Sequence, residues 1–188
     1  MRQFILAAAF AILGLTTFSQ SNTVNPNPER KWGVEADLLV PFVPTAEIIT
    51  IRGSRTITGN PQDIHGDLLF GIYLRPNVEH DVVEEIDEYL LTLGYRQYLW
   101  KGFHLEAQSD MGYAWGWNNK VDGQDYEGFA WLIEGHAGYK FLFSPKKPKS
   151  FYLAPQVGII HGLVTDIGPR GGKSDTFFSA KINLGLAF

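Results

Sequence analysis

The sequence predicts an all-β fold: a single antiparallel up-and-down transmembrane β-barrel of eight strands. Three observations predict it. Apolar and polar side chains alternate with a period of two, again and again along the chain. The N-terminal segment has the three regions of a secretory signal peptide. The chain closes on Phe178, Ala180, Ile182, Leu184, Leu186 and Phe188, every second residue apolar, with Ser179, Lys181, Asn183, Gly185 and Ala187 between them.

Taken in order, Met1–Gln3 carries one positive charge, the stretch Phe4–Leu15 is apolar, and Thr17 and Ser19 are small. About a dozen apolar residues are too few to span a bilayer as a helix, which needs about 20. Residues 1–20 are therefore expected to be a cleaved signal, 21–30 a short linker, and 31–188 the barrel. The chain has no cysteine, which excludes a lipid-modified N-terminal Cys, disulfides and thiolate metal sites.

In the first strand Trp32, Val34, Ala36, Leu38 and Val40 alternate with Lys31, Gly33, Glu35 and Asp37. A weaker Ile- and Thr-containing segment, Glu47–Arg52, supplies the second, followed by a segment from Gly53 to Asp63 that is long for an inner turn. The third sets Ile64, Leu68, Phe70, Ile72 and Leu74 against His65, Asp67, Gly71, Tyr73 and Arg75, with Leu69 an apolar exception. The fourth sets Tyr89, Leu91, Leu93 and Tyr95 against Glu88, Thr92, Gly94 and Arg96, and turns at Lys101-Gly102. The fifth opposes Leu105, Ala107, Met111, Tyr113, Trp115 and Trp117 to His104, Glu106, Gln108, Asp110 and Gly112. The sixth opposes Phe129, Trp131, Ile133, Tyr139 and Phe141 to Gly128, Glu134, His136, Gly138 and Lys140. The seventh opposes Leu153, Val157 and Ile159 to Tyr152, Gln156 and Gly158, and the closing strand completes the set. Short links at Lys101-Gly102 and Ser144–Lys149 fall on the periplasmic side. Longer polar links, Pro76–Asp87, Asn118–Asp125 and Thr165–Ser174, face outward, the asymmetry of outer-membrane barrels.

The same alternation would serve a secreted β-sandwich or a lipocalin-like barrel. Aromatic residues near the strand ends, Trp32, Tyr95, Trp115, Trp117, Phe141 and Phe151, favour the membrane, where they would form interfacial girdles.

The signal-like N-terminus, the repeated amphipathic strands, the segment Gly94–Gln108 and terminal Phe188 together resemble the small outer-membrane β-barrel proteins of Bacteroidetes-type bacteria, broadly the OmpA/OmpX-like barrel superfamily. The resemblance covers about Lys31 to Phe188. It implies an outer-membrane location in a Gram-negative bacterium. It also implies insertion by the barrel assembly machinery, which reads a C-terminal aromatic; Phe188 is the matching assembly signal. Many members of that grouping have no known activity, so the resemblance speaks to architecture alone.

Inward positions collect Lys31, Arg75, Arg96, Lys140 and Lys181 against Glu35, Asp37, Asp67, Glu88, Glu106, Asp110 and Glu134, with His136 beside them. Eight strands enclose an interior that side chains can just fill. The expected lumen is thus a plugged polar network that holds the barrel together. A narrow pore, or a transport or ligand-binding barrel, is the alternative. An enzyme is the third option. A lipid-modifying barrel would need a serine and a histidine on adjacent outward positions, and position 163, the next outward position after His161 on the same strand, is Leu163. Ser174 and Ser179 remain only as distant partners. His104 and His136 stand beside Glu106 and Glu134, as a general base would, but such pairs also arise wherever a polar face alternates. The same holds for metal ligation by His65 and Asp67. No catalytic residue, metal or cofactor is assigned. Glu79, His80, Asp81, Glu84, Glu85 and Asp87 form an acidic outer link able to attract divalent cations.

The formal net charge of −4 becomes −5 once Arg2 leaves with the signal, which argues against nucleic acid as a partner. Expected partners are outer-membrane lipid and lipopolysaccharide, with an unidentified surface ligand at the outer loops, for a monomeric, non-catalytic barrel serving envelope structure or surface recognition.

Overall fold

A computed structural model describes residues 30–40, 47–61, 64–79, 83–165 and 176–188 of the chain. The expected signal peptide, the expected linker apart from Arg30, His80, Asp81 and the segment 166–175 with Ser174 lie outside the described residues. The structure is all-β. Its strands are β1 (Trp32–Asp37), β2 (Ile49–Gly59), β3 (His65–Glu79), β4 (Val83–Trp100), β5 (Phe103–Asn119), β6 (Tyr126–Tyr139), β7 (Phe141–Leu142), β8 (Ser150–Thr165) and β9 (Thr176–Ala187).

These nine segments form one antiparallel sheet that closes on itself. Apart from β6 and β7, which do not pair with each other, each strand pairs with its neighbours in sequence, and β1 pairs with β9 through Gly33 opposite Ala187 and Asp37 opposite Asn183. β6 and β7 are separated only by Lys140 and both pair with β8, so they run along the same neighbour. With β6 and β7 taken together, each strand has a neighbour on both sides over at least part of its length, which shields most of the edge that an open sheet would present. The β4–β5 hairpin turns on Lys101 (φ 44°) and Gly102 (φ 99°). Both central residues of this tight turn are left-handed, the twist that suits a two-residue hairpin.

The two faces are inverted relative to a water-soluble domain. Leu91 is 69% exposed on the outside and Phe178 77%, whereas Arg52 is 1% exposed and Arg96 fully buried inside. The outward apolar positions named from the sequence, including Trp32, Val34, Leu93, Leu105, Tyr113, Phe129, Val157 and Leu184, are exposed. The β-sandwich alternative requires those side chains to be the core, and the structure places them on the surface.

Three expectations are corrected. The second strand is not Glu47–Arg52 but Ile49–Gly59, so most of the supposed long inner turn is strand. The supposed outer loop Pro76–Asp87 is largely strand as well: β3 reaches Glu79 and β4 begins at Val83, past a register shift between Arg75 and Val78. The expected contrast of short and long connections therefore fails at this hairpin.

The interior is also not uniformly polar. At the end away from the termini, Tyr73, Val78, Val83, Ile86, Leu90, Ala114, Ala130 and Leu132 form a buried apolar cluster, with Ile48 and Ile160 packed against it. On this hairpin the outside is acidic instead, with Glu79, Glu84 and Glu85 exposed. The alternation is reversed there, apolar in and polar out, as for a sheet in water.

Candidate functional site

Below the apolar cluster, toward the termini, inward side chains of six strands, β1, β2, β4, β5, β8 and β9, meet in a buried polar network. Its centre is a four-charge cluster of two carboxylates and two guanidiniums. Arg96 Nη2 lies 2.6 Å from Glu35 Oε1, and Arg96 Nε donates to Glu106 Oε2 at 2.7 Å. Arg52 Nη2 donates to Glu35 Oε1 at 2.6 Å, and its Nη1 to Glu106 Oε1 and Gln108 Oε1. Opposite charges are equal in number, so neither carboxylate nor guanidinium is left buried without a counter-charge. That condition matters, because an uncompensated buried charge costs several kcal/mol or more.

Neutral groups complete the cluster. Tyr152 donates its hydroxyl to Glu35 Oε2 at 2.6 Å. Its ring occupies the space beside Gly185, where a Cβ would lie 2.3 Å from the ring. Gln156 Nε2 donates to Glu106 Oε2 at 3.0 Å and lies 2.8 Å from His104 Nε2, while His104 Nδ1 lies 3.0 Å from the Gly102 carbonyl. Donation from Nδ1–H to that carbonyl leaves Nε2 to accept from Gln156, one consistent tautomer. Asn183 Nδ2 donates to Gln156 Oε1 at 3.1 Å.

The other residues expected in the lumen also face inward, Asp110 joined to the cluster through Gln108 and the rest in separate groups. Arg75 and Glu88 pair at 3.5 Å near the apolar cluster. Asp110 accepts from Thr92 and from Gln108 Nε2, the latter at 3.0 Å. Asp67 accepts from Thr56 Oγ1 at 2.7 Å. Asp37 accepts the backbone N–H groups of Leu39 at 2.9 Å and Ile182 at 3.2 Å, tying β1 to β9 past their last paired residues. Lys181 pairs with Glu134. Among the described residues Lys140 makes no ion pair; its ammonium sits 4.3 Å from the Tyr152 ring centroid and 5.4 Å from that of Tyr98.

Sequence reasoning missed Arg52, half the positive charge of the central cluster. A signal existed: Ile49 and Ile51 are outward, so parity alone puts Thr50, Arg52 and Ser54 inside.

His136 Nε2 lies 3.1 Å from Ser179 Oγ, and His136 Nδ1 lies 3.7 Å from Glu134 Oε2. The residue types are those of a serine relay. The carboxylate is beyond hydrogen-bond reach of the imidazole, however, and the same oxygen is held by Lys181. Gly158 backs so closely on the imidazole that a Cβ there would lie 2.6 Å from its Cδ2. Ser, His and Glu are all buried, and their contacts are those of a packed polar interior. His161 Nδ1 lies 2.7 Å from Thr176 Oγ1 on the outer surface. Among the described residues no group of three or more His, Asp or Glu side chains is arranged to hold a metal ion.

The end bearing the termini opens into a cavity of about 240 Å³ lined by Arg30, Lys31, His65, Asp67, Tyr98, Lys101 and Lys140 among others. The phenol of Tyr98 is stacked on His65, ring centroids 4.1 Å apart, and accepts from Arg96 Nη1 at 3.4 Å, so it separates the cavity from the central cluster. Phe188, the expected assembly signal, is exposed beside this end and exchanges two backbone hydrogen bonds of 2.9 Å with Trp32.

No family model matches the chain, and neither a curated protein nor a solved structure is detectably similar to it.

Proposed function

We propose that the chain is an eight-stranded outer-membrane β-barrel without catalytic activity, stabilised by its interior and presenting its loop end for envelope structure or surface recognition. β6 and β7, taken as one strand interrupted at Lys140, give the even count usual for such barrels. The observation that carries the reading is the inversion of faces: a closed sheet with charge inside and a continuous apolar surface outside is stable where the surroundings are apolar.

Dimensions support it. On β5 the outward residues from Phe103 to Tyr113 are all apolar or small, and a rise of about 3.3 Å per residue over that stretch, tilted by about 45°, projects to about 23 Å along the barrel axis. An apolar band about 25 Å tall is what outer-membrane barrels present. Exposed Trp32, Trp100, Phe141 and Phe151 sit toward one edge of the band, and Trp117, Phe177 and Phe178 toward the other, as interfacial girdles would.

The apolar cluster at the loop end and the paired charges beneath it support a plug over a pore, since a conducting path needs continuous water. The test is fractionation of the producing bacterium followed by gel electrophoresis of the extracted protein with and without boiling. Recovery in the outer membrane with heat-modifiable migration is expected. Recovery as a soluble species would overturn the reading.

A further inference from the structure

We infer that the terminus-bearing rim of the outer apolar band docks on anionic phospholipid headgroups through Arg55, Lys101 and the lysines of the β7–β8 link, an assignment that rests on the membrane-barrel reading above and adds the lipid class that reading leaves open.

Two cations mark the level of the rim. Arg55 lies over the Trp32 ring, its guanidinium carbon 5.0 Å from the ring centroid, and the Lys101 ammonium lies 5.0 Å from that of Trp100. Both pairs are on the outside, with Arg55, Lys101, Trp32 and Trp100 all exposed. An indole at the edge of an apolar band sits at headgroup depth. A long cationic side chain keeps its stem on apolar surface and its head in the polar layer. Each indole therefore places its cation at the depth where lipid phosphates lie. A ring face leaves the N–H donors of the cation open, and among the described residues neither Arg55 nor Lys101 has a carboxylate partner.

The third group lies in the β7–β8 link. Lys146, Lys147 and Lys149 are exposed there, on a backbone stiffened by Pro145 and Pro148. Arg30 holds this backbone, donating from Nη2 to the Ser144 carbonyl at 3.1 Å and from Nε to that of Lys147 at 3.0 Å. Phe143 and Phe151 flank the link and are 62% and 59% exposed, so its lysines also stand at the border of apolar surface.

Position around the ring selects the partner. Arg55 is on β2, Lys101 lies between β4 and β5, and the link lies between β7 and β8. β3 separates the first two, and β9 and β1 separate the last from the first. Charges distributed along a perimeter do not close on one small anion, whereas each can meet a different headgroup of an anionic layer. The β3–β4 hairpin at the opposite edge has the other sign, exposing Glu79, Glu84 and Glu85, which such a layer repels.

The absence of cysteine allows single fluorophores to be attached at chosen positions. Phe103→Cys puts one beside Lys101, Ile57→Cys beside Arg55, and Trp117→Cys opposite Glu85 across the β4–β5 ladder. Each labelled chain is folded into phosphatidylcholine vesicles at low ionic strength, with heat-modifiable migration confirming that it has folded. The vesicles carry a trace of phosphatidylglycerol or phosphatidylcholine with a nitroxide near the top of one acyl chain. At 103 and 57 the anionic lipid should quench more effectively than the zwitterionic one, by up to about fivefold, the value of one basic residue near an anionic surface. At 117 the ratio should be one or less. Lys101→Gln should lower the ratio at 103 and leave 57 unchanged, Arg55→Gln should do the reverse, and Lys101→Arg should keep both.

Equal quenching by the two lipids at 103 and 57, an equal excess at 117, or an excess at 103 undiminished by Lys101→Gln would overturn the docking surface. A fall at both labels with either variant would mean one shared anion and would overturn it as well. Quenching by both lipids without preference defeats this inference alone, whereas quenching by neither lipid at 103 defeats the barrel reading on which it rests.

Discussion

The two halves of the interior are filled by opposite means. Toward the termini, space is occupied by Glu35, Arg52, Arg96 and Glu106, whose burial is tolerable only because each charge has two opposite partners. Toward the loops it is occupied by Val78, Val83, Ile86 and Leu90, which need volume and nothing else. The charged half specifies geometry through many directional contacts, and the apolar half closes the channel by packing. In the first half one substitution takes a contact from several partners at once, while in the second it costs little more than the atoms removed.

The comparison breaks most visibly at Arg96. Replacing it with alanine leaves Glu35 and Glu106 sharing Arg52 alone, and the loss should be about 3–5 kcal/mol, the cost of removing one partner of a buried pair. Urea unfolding from vesicles would measure it. Combining Arg96→Met with Glu106→Leu rebalances the charge and should recover part of the loss; no recovery would mean the cluster acts by shape and not by charge.

On the outer face, Leu93→Arg at mid-band depth should cost about 2–4 kcal/mol in the same assay. A mild effect would show that this face does not meet lipid. In the apolar half Ile86→Val should cost only about 0.5–1.5 kcal/mol. Lys120, whose ammonium lies 3.8 Å from exposed Glu79, should contribute about 0–1 kcal/mol, so Lys120→Ala leaves stability nearly unchanged.

The smallest effect concerns the β5–β6 turn. The Tyr126 hydroxyl donates to Asp122 Oδ2 at 2.6 Å and, with the Gln124 N–H, holds that carboxyl below its usual range. A depressed folded value means the contact contributes fully above the ordinary carboxyl range and is lost as pH falls through the depressed value. Carboxyl NMR should find the Asp122 titration moved upward by Tyr126→Phe, with the rest of the protein unaffected.

The strands inside the apolar band were legible in the sequence because apolar and polar residues alternate strictly there, as along β5 and β9. Legibility failed where a neighbour took over the outward position. Along Gly53–Gly59 the outward sites are Gly53, Arg55 and Ile57. Gly53 is covered by the Phe70 ring, which a Cβ would meet at 2.5 Å, and Arg55 lies 5.0 Å from the Trp32 ring. The apolar cover comes from β1 and β3, so Gly53–Gly59 reads as a turn, and Arg52, the last residue of the shorter strand read from the sequence, was not assigned to the lumen.

It failed differently at the β3–β4 hairpin, where the strands run past the band. Glu84 and Glu85 outside and Val83 and Ile86 inside have the polarity of a soluble sheet, so the rule that polar residues point inward misreads them. The pairing within the network was beyond the sequence altogether, since parity gives the face of Glu35 and not that its partners come from β2 and β4.

The inversion of faces is tested most directly along β4. The chain has no cysteine, so single cysteines carrying a spin label can be placed at Tyr89, Leu90, Leu91, Thr92 and Leu93 of the protein in lipid vesicles. Collision with oxygen, which partitions into lipid, should be frequent at 89, 91 and 93 and rare at 90 and 92, while a water-soluble nickel complex should reach none of them. Accessibility without a period of two, or nickel contact at 91 and 93, would contradict the membrane-facing exterior on which the account rests.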